Sequence, residues 1–168
     1  MQTVEAAVVG VGWIGGLRAE ALSRTALVDK LHLCDIKPDR LAEVKALYKP
    51  ATATADYNDI INNPNMSGVY ISTTPEANHY PIARDCLKAG KHVMLEKPIA
   101  LELWEADELI MLSKRNNLKF TIGYSQRFNP KIAFAKKKIV DGTLGNVVSV
   151  LVSRHLSRDL GKKIAGRV

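Results

Sequence analysis

The chain has 168 residues, 46% of them hydrophobic and 24% charged, with a formal net charge of +7. That length holds one domain, or one domain and the start of another. No apolar stretch approaches the roughly 20 residues of a membrane helix, and the N-terminus lacks the basic-then-apolar pattern of a secretory signal, so a cytoplasmic protein without membrane partners is expected. Nucleic acid is not the expected partner either. Arg154, Arg158, Lys162, Lys163 and Arg167 against Asp159 put +4 of the charge in the last fifteen residues, and no basic stripe interleaves with aromatics.

Taken in chain order, Val4 to Val9 is a short apolar run ending in glycines, which predicts a buried strand; Ile14, Leu17, Ala21 and Leu22 then share one helical face. Leu31 to Cys34 reads as the second strand. "KPDRLAEVKALY" follows as a helix, with Pro38 in its first turn and Leu41, Val44 and Leu47 as its apolar stripe. A short strand is predicted around Ala51 to Ala55 and a small helix over Tyr57 to Asn62, with "NNPNMSG" as a closing turn. The pattern repeats with "VYIS" as strand, Asn78 to Ala89 as helix capped by Gly90, "HVMLE" as strand, Leu101 to Asn116 as helix and "KFTIGY" as strand. Pro130 to Val140 is one more predicted helix. "NVVSVLVS" is a strand-like run with no clear helix after it.

Strands alternating with helices of this length imply an α/β fold, a doubly wound parallel sheet of Rossmann type covered on both faces. Cys34 falls in a predicted strand and Cys86 on an apolar helix face. Without CxxC spacing or a histidine cluster, both read as reduced packing residues, and no metal site is expected.

Four glycines fall between residues 10 and 16, and Gly10, Gly12 and Gly15 match GxGxxG. Gly10 permits the tight turn, Gly12 lets backbone approach a pyrophosphate, and Gly15 lets helix pack closely on sheet. The amides of Trp13 and Ile14 then open a helix, whose positive end favours a diphosphate, and Trp13 could cover the loop. Glycines serving a tight turn alone are the competing account. Context favours the dinucleotide, because the motif lies between strand and helix and Asp35 ends the next strand. A carboxylate there accepts hydrogen bonds from both adenine-ribose hydroxyls and repels a 2'-phosphate, which favours NAD over NADP, with Lys37 nearby as a counterweight. Helix capping is the plainer role for Asp35.

Further on, "STTPEANHYPIARDCLKAGKHVMLEKPIA" (72–100) contains Thr74, Pro75 and His79, then Ala89 to Val93, then Glu96, Lys97 and Pro98. This resembles the Gfo/Idh/MocA family (glucose-fructose oxidoreductase, inositol dehydrogenase, rhizopine catabolism), whose members carry TPxxxH, AGKHV and EKP. The resemblance continues through "GYSQRFNP" and "DGTLGNVVSV" to about Ser153. It implies an NAD-dependent oxidoreductase that moves a hydride between nicotinamide and a sugar, inositol or related polyol. The Thr73, Thr74 and Pro75 loop follows a strand at its carboxyl end, where open sheets of this kind bind ligands. His79 is a candidate for cofactor or substrate contact, with capping or packing as its alternative. By resemblance Glu96 helps hold the nicotinamide ribose, Lys97 belongs to the cofactor site and hydrogen-bonds the reacting hydroxyl or its base as the catalytic residue, and a cis peptide often precedes Pro98. An ordinary solvated lysine is the alternative reading of Lys97. Arg127 could bind the carboxamide or a polar substrate, or anchor the crossing between domains, and Tyr124 borders the same region.

The expected organisation is a dinucleotide-binding domain over 1–125, then a crossover helix and the start of a truncated substrate domain over 126–168. Family members are usually about twice as long, with a second domain that supplies a DxxxH segment, assembles into oligomers and is opened here by a strand over Asn146 to Ser153. With no such segment in these residues, the chain by itself is expected to bind NAD without turning over a polyol. A stand-alone NAD-binding sensor or partner module is the alternative reading.

Overall fold

A computed structural model of the chain describes residues 3–153 and 155–165. Arg154 and Arg167, counted above in the basic tail, lie outside the described residues. The chain divides into two compact units, 1–124 and 125–168.

In the first unit, β1 (Val4–Val9), β2 (Val28–Cys34), β3 (Thr52–Thr54), β4 (Met66–Ile71), β5 (His92–Leu95) and β6 (Phe120–Ile122) form, among the described residues, a six-stranded sheet in the order β3-β2-β1-β4-β5-β6. Every pairing is parallel. The intervening helices are α1 (Trp13–Ser23), α2 (Pro38–Tyr48), the short α3 (Tyr57–Ile61), α4 (His79–Lys88) and α5 (Leu103–Arg115). Chain order reverses between β1 and β4, and a doubly wound sheet opens its ligand crevice at that reversal, beyond the carboxyl ends of the strands.

The two faces of the sheet bury two cores because successive side chains of a strand point to opposite sides. Ala7, Val9, Cys34, Val69 and Ile71 pack with Ile60, Ile82, Ala83, Cys86, Leu87, Leu109 and Leu112 on one face. Val8, Leu31, Leu33 and Tyr70 pack with Val11, Ala19 and Val44 on the other. Both predicted packing cysteines are buried, and burial pushes each thiol up to about 12.

Strand starts are where the sequence misleads most. β2 begins at Val28 and not Leu31, because Val28 and Lys30 pair with Val4 and Glu5 at the polar end of the sheet, where Lys30 and Glu5 form an ion pair of 2.8 Å. β4 begins at Met66, inside the stretch read as a turn, since Met66 pairs with Glu5 and its side chain is buried. The C-cap of α4 is Ala89, one residue before the expected Gly90, which follows it in the left-handed region at φ +75°.

The second unit contains a 3-10 turn (Ser125–Phe128), α6 (Pro130–Val140) and α7 (Arg158–Ala165). Asn129 caps α6 by accepting from the Lys131 amide at 3.0 Å. Here two expectations are corrected. Residues 146–153 form no strand, and a helix follows where none was foreseen. An extended run becomes a strand only by pairing its backbone, and none of the described strands pairs with it. Its apolar residues stay uncovered, Val148 and Leu151 each 96% exposed. α7 carries Asp159 in its first turn, where a carboxylate meets the positive end of the helix dipole. Among the described residues no helix is long and apolar enough to cross a membrane.

Candidate functional site

Four chain segments of the first unit meet at the carboxyl ends of the strands: the glycine loop after β1, Asp35 after β2, the 72–75 loop after β4 and the 96–98 turn after β5. Gly10 makes the turn in the left-handed region, φ +83°, and a Cβ on it would lie 2.8 Å from the backbone of Ser72 and Thr73. The Gly10 amide donates to the Cys34 carbonyl at 2.8 Å, the Ser72 amide to that of Val9 at 2.9 Å, and the Ser72 hydroxyl to that of Gly10 at 2.7 Å. The reversal between β1 and β4 is therefore cross-tied on both sides.

Gly15 is under a stricter constraint, since a Cβ there would sit 1.8 Å from the Gly10 carbonyl oxygen. The nearest atom is a backbone oxygen that the loop fixes in place, and the next, the Ser72 hydroxyl at 2.6 Å, is itself bonded to that oxygen. Gly15→Ala is therefore expected to cost about 3 kcal/mol, the upper end of overpacking penalties, read as a lowered midpoint of urea unfolding; an unchanged midpoint would refute the close packing of loop on helix.

Gly12 is the opposite case. A Cβ on it meets nothing within 4 Å, so its lack of a side chain serves the open space over the loop and not the protein's own packing. It is also the N-cap of α1, with no side chain capping the helix. Trp13, 42% exposed, is the first residue of that helix, and Ile14 follows half-buried.

The Asp35 carboxylate reaches back to the loop. Its Oδ2 accepts from the Val11 amide at 2.7 Å and its Oδ1 from the Lys37 amide at 2.9 Å. The second contact is a local turn just before α2, whose N-cap is Lys37 without a side-chain cap, so Asp35 does not take the helix-capping role; the first contact ties it to the glycine loop and needs the fold. Each oxygen has a further lone pair.

Thr73 lies between these features. Its Oγ1 is buried and has no hydrogen-bond partner among the described residues, the kind of exception that points to an absent ligand or water. An open cradle at Gly12, an unsatisfied hydroxyl at Thr73 and a carboxylate with free lone pairs at Asp35 together fit a dinucleotide whose diphosphate crosses the start of α1. Thr74 and Pro75 are exposed at the loop's outer side, joined by a cis peptide bond.

His79 turns inward. It is 1% exposed, with Nδ1 2.8 Å from the Pro98 carbonyl oxygen and Nε2 3.2 Å from that of Thr73. Both ring nitrogens face backbone carbonyls of this chain, so the ring packs between the 72–75 loop and the 96–98 turn, where a neutral imidazole donates to one of the two oxygens. This geometry supports the packing alternative: α4 begins at His79 and carries the ring beneath both loops.

Glu96 is held in a network that sequence reading missed. Tyr70 donates its hydroxyl to Glu96 Oε1, Arg18 Nε donates to the Tyr70 oxygen at 3.0 Å, and Arg18 lies 3.5 Å from Glu96. The guanidinium also stands 5.5 Å from the Tyr70 ring centroid. Burial, and then the hydrogen bond to Glu96, push the Tyr70 phenol well above its ordinary value, so the hydroxyl remains a donor. The carboxylate packs on Gly123, where a Cβ would come within 3.0 Å of it. One signal was available: Tyr70 stands between Val69 and Ile71 in a buried strand, and a buried phenol needs a partner.

Lys97 follows with its backbone held and its side chain outside. Its amide lies 3.3 Å from Glu96 Oε2, and the peptide to Pro98 is cis. The side chain is exposed, and its ammonium has no hydrogen bond or ion pair among the described residues. Tyr124, 44% exposed, ends this unit. Arg127 belongs to the second unit, exposed on the 3-10 turn. Among the described residues no group of three or more metal-ligating side chains occurs.

Residues 4–124 match the family model described as Gfo/Idh/MocA, "Oxidoreductase family, NAD-binding Rossmann fold". The chain is 34% identical over 156 residues to an inositol 2-dehydrogenase/D-chiro-inositol 3-dehydrogenase of Lactiplantibacillus plantarum, covering 90% of this chain and 43% of that protein. It is 26% identical over 158 residues to an NADP-linked scyllo-inositol 2-dehydrogenase of Bacillus subtilis, covering 94% of this chain and 43% of that protein. Among solved structures, scyllo-inositol dehydrogenase from Lactobacillus casei with bound NAD(H) and scyllo-inositol superposes with a TM-score of 0.79 at 25% identity, covering 86% of this chain and 43% of that one. The chain thus spans under half the length of these relatives.

Proposed function

Since the chain belongs to the Gfo/Idh/MocA oxidoreductase family, we propose that it is the cofactor-binding part of an NAD-dependent enzyme that moves a hydride between nicotinamide and a sugar, inositol or related polyol. The observation that carries this reading is the cradle at the strand reversal, open over Gly12 and lined by the unsatisfied hydroxyl of Thr73. The bound dinucleotide supplies the hydride acceptor or donor; the remaining tasks fall to the protein. Gly10, Gly12 and Gly15 shape the loop, and the amides of Trp13 and Ile14 present the positive end of α1 to the diphosphate. Thr73 completes its hydrogen bonding on the cofactor, and Thr74 and Pro75 form the outer wall beside it.

Glu96, fixed by Tyr70 and Arg18, accepts from a nicotinamide-ribose hydroxyl through its remaining lone pairs. Lys97 extends from the same turn as the catalytic residue, its ammonium donating to the substrate hydroxyl and stabilising the alkoxide character that develops as hydride leaves carbon. The family resemblance, and an exposed Lys97 ammonium without a hydrogen bond or ion pair among the described residues, support these assignments.

Asp35 favours NAD over NADP. Its lone pairs suit ribose hydroxyls, whereas a 2'-phosphate would bring like charges together at a cost of several kcal/mol. NADH is therefore expected to bind at least about tenfold more tightly than NADPH, measured by titrating both with nicotinamide fluorescence. Equal or reversed affinities would remove Asp35 as the discriminating residue and turn attention to Lys37.

A further inference from the structure

Three of the four glycines between residues 10 and 16 have a task in the cradle; Gly16 has none. It is buried within α1, where alanine would be favoured over glycine by about 1 kcal/mol. A Cβ at this position would meet Arg40 Nη2 at 2.6 Å, and its next neighbours lie at 3.8 and 3.9 Å. The clearance thus serves one group, the guanidinium of a residue on α2.

That guanidinium grips the loop. Arg40 Nε donates to the Val11 carbonyl at 2.7 Å and Nη2 to the Gly12 carbonyl at 3.2 Å, while Nη1 donates to Glu43 at 2.6 Å on α2 itself. The Gly12 carbonyl also accepts the Gly16 amide at 2.8 Å, the first hydrogen bond of α1. Val11 is consequently held on both sides by one corner of the fold, its amide by Asp35 and its carbonyl by Arg40.

A trans peptide is planar, with its C=O and N–H pointing in opposite directions. Drawing the Val11 and Gly12 oxygens toward α2 therefore turns the amides of Gly12 and Trp13 away from α2. Only a planar fork with fixed donors spans two successive carbonyls while a third nitrogen is anchored; a lysine ammonium is a single point.

From this we infer that Arg40 is a positioning residue for the dinucleotide loop and that Gly16 is the gap through which it acts. The inference rests on the proposed reading of that loop as the NAD site. The effect of Arg40 is geometric: it orients the loop amides before the cofactor arrives, which lowers the ordering cost of binding.

The test uses the 168-residue chain as wild type, Arg40→Ala, Arg40→Lys, Gly16→Ala and the Gly16→Ala/Arg40→Ala double variant. Two quantities are measured: amide hydrogen exchange over residues 11–14 without cofactor, and the NADH dissociation constant. Arg40→Ala and Gly16→Ala are each expected to speed exchange in this segment and to weaken NADH about tenfold, the order of one charge-assisted hydrogen bond. Arg40→Lys should behave like Arg40→Ala, and the double variant should be no worse than Arg40→Ala, because both changes remove one interaction. Unchanged exchange in Arg40→Ala, full rescue by lysine, or additive losses in the double variant would each overturn the inference. Failure of the wild type to bind NADH would instead overturn the reading of the loop as a dinucleotide site, and the exchange rates would still decide whether Arg40 holds the loop.

Discussion

Gly12→Val is expected to abolish NAD(H) binding, raising the dissociation constant beyond about 1,000-fold, while the protein stays folded. The two halves of this expectation come from one observation: a Cβ at Gly12 meets no protein atom within 4 Å. The first carbon of the added side chain displaces nothing of the chain, so the unfolding midpoint should fall only by the cost of a poor N-cap, about 1 kcal/mol. The isopropyl group fills the space that the diphosphate needs at the start of α1, however, and a phosphate held by backbone amides has no alternative place to go. Calorimetric titration of NADH, with a thermal melt as the folding control, reads both outcomes. Undiminished binding by the folded variant would show that the open side of the loop is not the diphosphate site. The contrast with Gly15 sharpens the test, because that glycine faces backbone at 1.8 Å and its replacement should lower stability first.

The second large effect is expected at Lys97. In a polypeptide that extends this chain to the length of its relatives, Lys97→Ala should lower kcat about 10²- to 10³-fold, the loss typical of removing one donor to a developing oxyanion. The NADH dissociation constant should change less than about twofold, since no hydrogen bond of Lys97 Nζ supports the loop architecture among the described residues. The assay is NADH formation by absorbance across inositols, aldoses and sugar acids, with NADH titration run in parallel. Rates unchanged on every substrate would assign Lys97 to the solvated surface. A proportionate loss in NADH affinity would instead make it a cofactor ligand.

Tyr70 and Arg18 bear on the same turn. Because the Tyr70 phenol is raised and stays protonated, Glu96 keeps a donor against Oε1 throughout the neutral range, and the carboxylate is held in place beneath Lys97. The network acts through position: it spends lone pairs of Oε1 and leaves others on Glu96 for a ligand.

What the sequence by itself determined is what depends on local spacing. Apolar periodicity marked the alternation of strands and helices, and hence a parallel doubly wound sheet, because strand and helix repeats are properties of a few neighbouring residues. The glycine spacing followed by Asp35, and the Glu96-Lys97-Pro98 run after an apolar strand, marked a dinucleotide cleft for a similar reason, since each motif is contiguous and sits at a strand end. Tertiary structure alone decided how those pieces are held. Tyr70 reaches Glu96 across 26 positions and Arg18 reaches Tyr70 across 52; Arg40 reaches the Gly12 carbonyl across 28, through a gap left at Gly16. The start of α4 buries His79 between the 72–75 loop and the 96–98 turn, its ring nitrogens facing a carbonyl of each. The run at 146–153 has every local mark of a strand and forms none in the described residues. A strand is completed by its neighbour's backbone, and that hydrogen bonding is a property of the pair, absent from the sequence of either member.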